Sequence, residues 1–134
     1  EVVAIMREPV DWLGSWYRFR QRPHLNGRPT STREISFDSF VDDYCRGKRP
    51  AHAEVGSQAK FLEAQPNGCR VSHLFAYETL APFHAFLRDR TGVDYETRSE
   101  NVSPVGDLTL RAATRKKLER KHSEEFALYA SINP

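Results

Sequence analysis

The first apolar stretch of the chain is continuous, with no alternating polar positions. It runs from Val2 to Met6, is rich in β-branched residues and ends at Arg7-Glu8-Pro9. Continuous apolarity of this length is typical of a strand covered on both faces, as in a parallel sheet. A second such strand is predicted at residues 69–76, and no other segment carries an equally convincing pattern. The chain is therefore predicted to contribute two strands to a thin sheet.

The apolar residues of four further segments recur every three or four positions, as on one face of a helix. The predicted helices comprise residues 10–21, 37–46, 80–90 and 110–129. Ser36 and Thr109 are predicted N-caps, because a hydroxyl accepts a hydrogen bond from a first-turn amide. Gly47 and Gly92 are predicted to end the second and third helices. The fold class is thus α/β, mostly helices with a few parallel strands.

The sequence between these elements is polar and rich in proline and glycine. Residues 22–34, 48–56 and 93–107 are predicted connections. Residues 58–64 fit a short strand or a short helix, and the pattern does not choose between them.

Composition mainly excludes classes of function. Twenty Lys and Arg against 18 Asp and Glu give a formal net charge of +2, too little to indicate a nucleic-acid binder. No apolar run approaches the roughly 20 residues of a membrane-spanning helix.

Two cysteines, Cys45 and Cys69, make neither a disulfide framework nor a zinc site, and the five histidines lack metal-ligand spacing. We expect no metal, two buried free thiols rather than a disulfide, and a cytoplasmic location.

The junction between the first strand and the first helix carries the candidate chemistry. Arg7 stands at the carboxyl end of the strand, and Ser15 lies in the second turn of the helix. Ligands of open α/β sheets bind at this end of the strands, and a guanidinium can hold a phosphate through two parallel hydrogen bonds. An ion pair between Arg7 and either Glu8 or Asp11 explains the arginine equally well.

The segment from Val2 to Tyr17 resembles the 3′-phosphate-binding element of sulfotransferases that use 3′-phosphoadenosine 5′-phosphosulfate. That element has a hydrophobic strand, Arg, an acidic residue and Pro, and then Ser eight positions after the Arg, often before an aromatic residue. Arg7, Glu8, Pro9, Ser15 and Trp16 match it. The resemblance implies that Arg7 and Ser15 bind the 3′-phosphate of the nucleotide.

Weaker similarities to the same family continue along the chain. The segment Phe37–Val41 resembles the helix that follows the element, and Tyr77-Glu78 resembles its later strand end, although a structural role is favoured for Glu78. The residues after Asn101 resemble the closing pattern of bacterial and carbohydrate-type members. Late loops approach the 3′-phosphate in several members of the family, which makes the loop Asn101–Gly106 a candidate for the same contact, and the residues alone do not decide it.

The resemblance implies a three-layer fold like that of P-loop nucleotide-binding proteins, of which residues 1–134 form a single C-terminal segment. No stretch matches the phosphosulfate-binding loop, which is expected upstream together with the catalytic base, so no catalytic residue is assigned. The implied reaction transfers a sulfuryl group from the nucleotide to a hydroxyl or amine of a small-molecule or carbohydrate acceptor. The aromatic residues Trp12, Trp16 and Tyr17 are candidates for the acceptor cleft.

Two other functions fit the same residues. One is a noncatalytic helical interaction module in which Arg7 and Ser15 are structural. The other is a P-loop-type enzyme such as a small-molecule kinase, which shares the strand–arginine–helix junction through its topology.

Overall fold

A computed structural model describes residues 1–98, 100, 102–103 and 105–132. Strand β1 (Val3–Met6) pairs in parallel with β2 (His73–Ala76), and Val3 lies opposite His73 while Met6 lies opposite Ala76. These are the two strands found in the described part of the chain. The predicted α/β class with a thin parallel sheet is confirmed.

The described ranges contain six α-helices. They are α1 (Pro9–Phe19), α2 (Phe37–Tyr44), α3 (Gln58–Phe61), α4 (Ala81–Thr91), α5 (Ala112–Lys121) and α6 (Ser123–Ala130). Two single 3₁₀ turns, Pro23–Leu25 and Ala51–Ala53, lie in the predicted connections. The segment at 58–64, which the sequence left open, contains the short helix α3.

Local capping chemistry explains where several of these helices begin. Pro9 opens α1, and the Glu8 carboxylate accepts a hydrogen bond from the Asp11 amide at 2.8 Å. Ser36 caps α2 as predicted, because its hydroxyl accepts from the Ser39 amide at 3.1 Å. Gly92 ends α4 with φ +71°, as predicted.

The structure corrects three predicted boundaries. Helix α2 ends at Tyr44, so Gly47 is not its cap. Strand β2 begins only at His73, four residues later than predicted. Thr109 is not an N-cap, because its hydroxyl donates to Asp107 at 2.6 Å and the helix begins after Arg111.

The predicted last helix is two helices, separated at His122. The backbone of His122 has φ −126° and ψ +41°, which interrupts the helical path between α5 and α6. Residues on either side, Leu118 and Phe126, still reach the same core. The helical spacing of apolar residues continues across His122, so the spacing alone did not predict the break between α5 and α6.

The main core lies where α1, α2 and α5 meet. It is formed by aromatic and aliphatic side chains that are at most 6% exposed: Leu13, Tyr17, Phe37, Phe40, Val41, Tyr44, Cys45, Ala53 and Leu118. The rings of Tyr17 and Phe40 lie 5.7 Å apart. A smaller aromatic cluster joins β2 to α4, where Phe75 lies 5.6 Å from Phe83 and 5.5 Å from Phe86. The main core fixes α1, the helix that carries Ser15.

The two cysteines differ in their exposure to solvent. Cys45 is buried, but Cys69 is exposed, so only one of the two free thiols lies in the interior as predicted. Burial raises the pKa of the Cys45 thiol.

Within the ranges that the structure describes, none of the helices is both long and apolar enough to cross a membrane.

Candidate phosphate-binding cleft

Arg7 lies immediately after β1, and two contacts define its side chain. Its Nε donates to Asp11 Oδ2 at 2.6 Å, and its guanidinium carbon stands 4.4 Å from the centre of the Tyr77 ring. The arginine side chain is 24% exposed. The ion pair with Asp11 is therefore present, one of the two partners considered from the sequence, while Glu8 instead caps α1.

The ion pair does not occupy all the donors of Arg7. A guanidinium carries five N–H donors, and only the Nε–H is engaged by a side chain in the described part of the chain. The aromatic face of Tyr77 and the Asp11 carboxylate fix the plane of the group. Both terminal nitrogens thus keep the planar fork that binds phosphate or carboxylate oxygens.

Ser15 and Arg7 line one cleft of about 880 Å³, a size usual for ligand sites. We call it the Arg7 cleft and define it by Arg7, Ser15, Arg18, Tyr77, Arg98 and Ser103. The structure thus brings the two predicted site residues to the same surface. Because Glu8 already caps the N-terminus of α1, an anion in the cleft would be held chiefly by side chains.

Arg18 is a site residue that the sequence analysis missed. It lines the cleft beside Ser15, and its Nε is buried with no hydrogen-bond partner among the described residues. Helical spacing contained the signal, because Asp11, Ser15 and Arg18 occupy positions i, i+4 and i+7 of α1. The three residues therefore share one face of the helix.

Described residues of the connection 93–107 also line the cleft. The Ser103 hydroxyl donates to the Ser15 carbonyl oxygen at 3.2 Å, so this loop does reach the predicted site. Asn101 and Pro104, part of the predicted loop Asn101–Gly106, lie outside the described residues. Arg98 brings a further cation to the cleft, and Glu96 and Glu100 bring two carboxylates.

Side chains from distant segments hold the backbone around Arg7. The amide of Gln58 spans the residue, because its Oε1 accepts from the Arg7 N–H and its Nε2 donates to the Arg7 carbonyl, both at 3.0 Å. The next amide, that of Glu8, donates to Glu78 Oε1 at 2.8 Å. Glu78 is in turn held by the Tyr129 hydroxyl at 2.8 Å. We call the three hydrogen bonds from Gln58 and Glu78 to the backbone the Arg7 clamp.

Each arm of the clamp is itself anchored. Burial and the adjoining Glu78 carboxylate raise the pKa of Tyr129 to about 12, so its hydroxyl stays protonated and donates. Glu125, only 3% exposed, accepts from the Ser57 hydroxyl and, at 3.1 Å, from the Ala59 amide at the start of α3. Helix α6 thereby fixes the helix that carries Gln58. Glu78 thus has a structural role, but not through the predicted contacts: α4 has no side-chain cap, no arginine pairs with Glu78 among the described residues, and its partners are the Glu8 amide and Tyr129.

Other candidate residues lie away from the Arg7 cleft. Tyr17 is buried in the core, and its hydroxyl donates to the Ile35 carbonyl at 2.6 Å, so it cannot line an acceptor cleft as expected. Trp12 and Trp16 pack partly buried against the same core. Among the described residues, no histidine lines the cleft. Across the same part of the chain, no group of three or more His, Cys, Asp or Glu side chains is arranged to hold a metal.

Comparison with known proteins assigns no family. No family model, curated protein or solved structure matches the chain. The function is therefore argued from the contents of the cleft.

Proposed function

We propose that the Arg7 cleft binds the 3′-phosphate of a nucleotide sulfuryl donor, and that the chain is part of a sulfotransferase of P-loop-like fold. One observation carries the proposal. Arg7, whose two terminal nitrogens have no hydrogen-bond partner among the described residues, and Ser15 line the same cleft at the carboxyl end of a parallel strand. Arg7 and Ser15 are also the two residues that the sequence resemblance assigns to the 3′-phosphate.

The donor set of the cleft suits a phosphate group. The Arg7 fork offers two parallel N–H donors, and the Ser15 hydroxyl adds an O–H donor. Among the described residues, the Ser15 hydroxyl makes no hydrogen bond, so it is available to a ligand. These residues would hold 3′-phosphoadenosine 5′-phosphosulfate by its 3′-phosphate, while the nucleotide supplies the sulfuryl group for transfer.

The acceptor would be a hydroxyl or amine of a small molecule or carbohydrate. Within the proposed function these residues bind and orient the donor, and we assign no catalytic base to them. Binding energy from a non-reacting phosphate contributes to catalysis by positioning the reacting group.

Thermal unfolding of the full-length protein with adenosine 3′,5′-bisphosphate tests the proposal. At ten times its Kd, a ligand that binds only the folded state stabilises it by about 1.4 kcal/mol, which raises the melting temperature measurably. Arg7→Ala should remove the shift. Arg115→Ala is a matched control, because Arg115 also donates through Nε to a carboxylate four residues later, Glu119 at 3.0 Å.

Three other results of this experiment would contradict the proposal. A shift with ATP and none with the bisphosphate would favour the kinase. A full-length protein that responds to neither nucleotide would favour the interaction module. A bisphosphate shift that survives Arg7→Ala would refute the assignment of the 3′-phosphate to this cleft.

A further inference from the structure

Cations from two separate segments of the chain lie together where α2 and α5 end. Arg46 and Arg49 follow α2, Lys121 ends α5, and all three line one surface depression of about 410 Å³. The two helices are also joined by an ion pair, because Lys117 Nζ lies 2.7 Å from Asp42 Oδ1. We call this surface the basic face and define it by six cations: Arg46, Lys48, Arg49, Lys116, Arg120 and Lys121.

Helix α5 presents its part of the basic face on one side. Lys116 and Arg120 are four residues apart, so their side chains are neighbours on the helix surface, and Lys121 follows directly. All three residues are exposed. Leu118, by contrast, is only 1% exposed and belongs to the main core. The helix therefore packs its apolar side on the core and turns these cations to solvent.

Few negative charges offset the basic face. Arg46 pairs with Asp43 at 3.3 Å, whereas the other five cations have no carboxylate within ion-pair distance among the described residues. Of the described residues that line the depression, Glu54 is the single carboxylate. The ends of α2 and α5 add about half a negative charge each, which six cations outweigh. The remaining Lys and Arg of the chain are outnumbered by its 18 Asp and Glu, so positive charge is concentrated on this face.

Arg49 is the best-oriented cation of the basic face. Its Nε donates to the Tyr44 carbonyl at 2.8 Å, and its guanidinium carbon stands 3.9 Å from the centre of the Tyr44 ring. Tyr44 is itself fixed in the main core at 1% exposure. The terminal nitrogens of Arg49 are not buried and have no hydrogen-bond partner among the described residues. A guanidinium held in this way binds sulfate or carboxylate oxygens through two parallel hydrogen bonds with little further loss of freedom.

The surroundings of the basic face discriminate between kinds of polyanion. The exposed large hydrophobic residues, such as Phe61, Tyr95 and Val105, all lie in other segments. A basic helix that docks on a membrane carries apolar residues beside its cations, and a site for single-stranded nucleic acid stacks bases on exposed aromatic rings. A polysaccharide with sulfate or carboxylate groups needs only cations and hydrogen-bond donors along its path. The basic face meets that requirement alone.

We propose that the basic face is a docking surface for a linear polysaccharide that carries sulfate or carboxylate groups. The choice of a polysaccharide rests on the proposed function, in which a carbohydrate is one class of acceptor. Among the described residues that line the Arg7 cleft, none belongs to the basic face. The docked part of the polymer is therefore distinct from the group that would accept the sulfuryl group. The acceptor class is narrowed from carbohydrates in general to anionic polymers.

The test measures binding of a fluorescent octasaccharide, built of alternating uronate and sulfated hexosamine units, to the full-length protein by fluorescence anisotropy. Affinity should fall between about 50 mM and about 200 mM salt, because salt screens exposed charges. The desulfated and carboxyl-reduced octasaccharide should bind at least about tenfold more weakly, since the loss of one charge-assisted hydrogen bond costs about that factor.

Variants locate the binding on the protein. Lys116→Gln combined with Lys121→Gln should weaken binding at least about fivefold, because it removes two exposed charges. Arg49→Gln, which removes the oriented guanidinium, should weaken it about tenfold. Arg28→Gln combined with Arg33→Gln is the matched control for the double variant, because it removes two exposed cations outside the basic face, and its affinity should stay within about twofold. Thermal unfolding confirms that each variant is folded.

Three results would overturn the inference. Equal losses in the Lys116→Gln/Lys121→Gln variant and in the Arg28→Gln/Arg33→Gln control would show that overall charge explains the binding. Equal affinity for the anionic and the uncharged octasaccharide would exclude recognition of anionic groups. Tighter binding of a DNA duplex, or of vesicles that contain an anionic phospholipid, would assign the basic face to another class of partner.

The proposed function is tested separately on the same protein. The thermal shift with adenosine 3′,5′-bisphosphate should persist in the Lys116→Gln/Lys121→Gln variant, because these residues lie outside the Arg7 cleft. A protein that shows this shift but does not bind the octasaccharide would overturn only the docking surface. A protein that binds the octasaccharide through the basic face and shows no shift would overturn only the proposed function.

Discussion

Replacement of Gln58 by methionine tests whether the Arg7 clamp holds the candidate site. Methionine has nearly the same length and volume as glutamine but offers no amide, so the two 3.0 Å hydrogen bonds to the Arg7 backbone disappear. Both backbone groups are partly buried, and each lost hydrogen bond costs about 1 kcal/mol. We expect the free energy of unfolding to fall by about 2 kcal/mol.

For a chain of this size that loss corresponds to a fall in melting temperature of roughly 6–10 °C. Urea unfolding measures the free energy directly, and amide hydrogen exchange locates the change. Exchange at the Arg7 amide should accelerate most, because its acceptor is gone. Amides in the main core, such as that of Phe40, should change only as far as global stability changes.

Gln65→Met is the matched control. Gln65 is exposed, and its Nε2 donates to the Glu63 carbonyl at 3.2 Å, so the same chemical change removes only a solvent-accessible hydrogen bond. Its effect on stability should stay within about 0.5 kcal/mol. If both variants lose the same stability, or if exchange at Arg7 is unchanged in Gln58→Met, the reasoning about the clamp is wrong.

Two other predictions concern stability. Gly92→Ala should destabilise the chain by about 1 kcal/mol in urea unfolding, because Gly92 caps α4 at φ +71°; Gly47→Ala, in open space without a positive φ, should be near neutral. Burial, together with Arg49, lowers the pKa of His122. Below about pH 6.5 the unfolded chain therefore binds a proton that the folded chain resists, and stability falls as the pH decreases. His122→Phe should flatten this dependence, whereas substitution of exposed His24 by Gln should not; an unchanged slope in His122→Phe would contradict the prediction.

Features set by neighbouring residues were predictable from the sequence. The Ser36 cap, the proline at the start of α1 and the left-handed Gly92 each depend on one turn of chain. The failure at Thr109 is also local. The Asp107 carboxylate accepts from the Thr109 hydroxyl at 2.6 Å and from the Thr109 amide at 2.9 Å. This local contact competes with the capping role of Thr109.

The environment of Arg7 could be predicted only in part. Its partner Asp11 lies four residues away, and helical spacing was enough to suggest it. Tyr77 and Gln58 lie 70 and 51 residues away, and no periodicity in the sequence relates them to Arg7. Arg18 lies on the same helix face as Ser15, but two of its properties depend on tertiary packing: its stem lies against Gly106, and its buried Nε has no hydrogen-bond partner among the described residues.

The clamp explains how such a small sheet can carry a positioned arginine. Two paired strands have little independent stability, and the hydrogen bonds of β1 and β2 end at the Met6 carbonyl, which accepts from the Tyr77 amide at 2.8 Å. Beyond that point, Gln58 forms hydrogen bonds with the N–H and C=O of Arg7, and Glu78 accepts from the Glu8 N–H. These hydrogen bonds constrain the backbone as neighbouring strands would in a wider sheet. Since Gln58 and Glu78 are anchored through α6 by Glu125 and Tyr129, the orientation of Arg7 depends on α6. The phosphate binding that we propose for the Arg7 cleft should therefore be sensitive to substitutions in α6 outside the cleft.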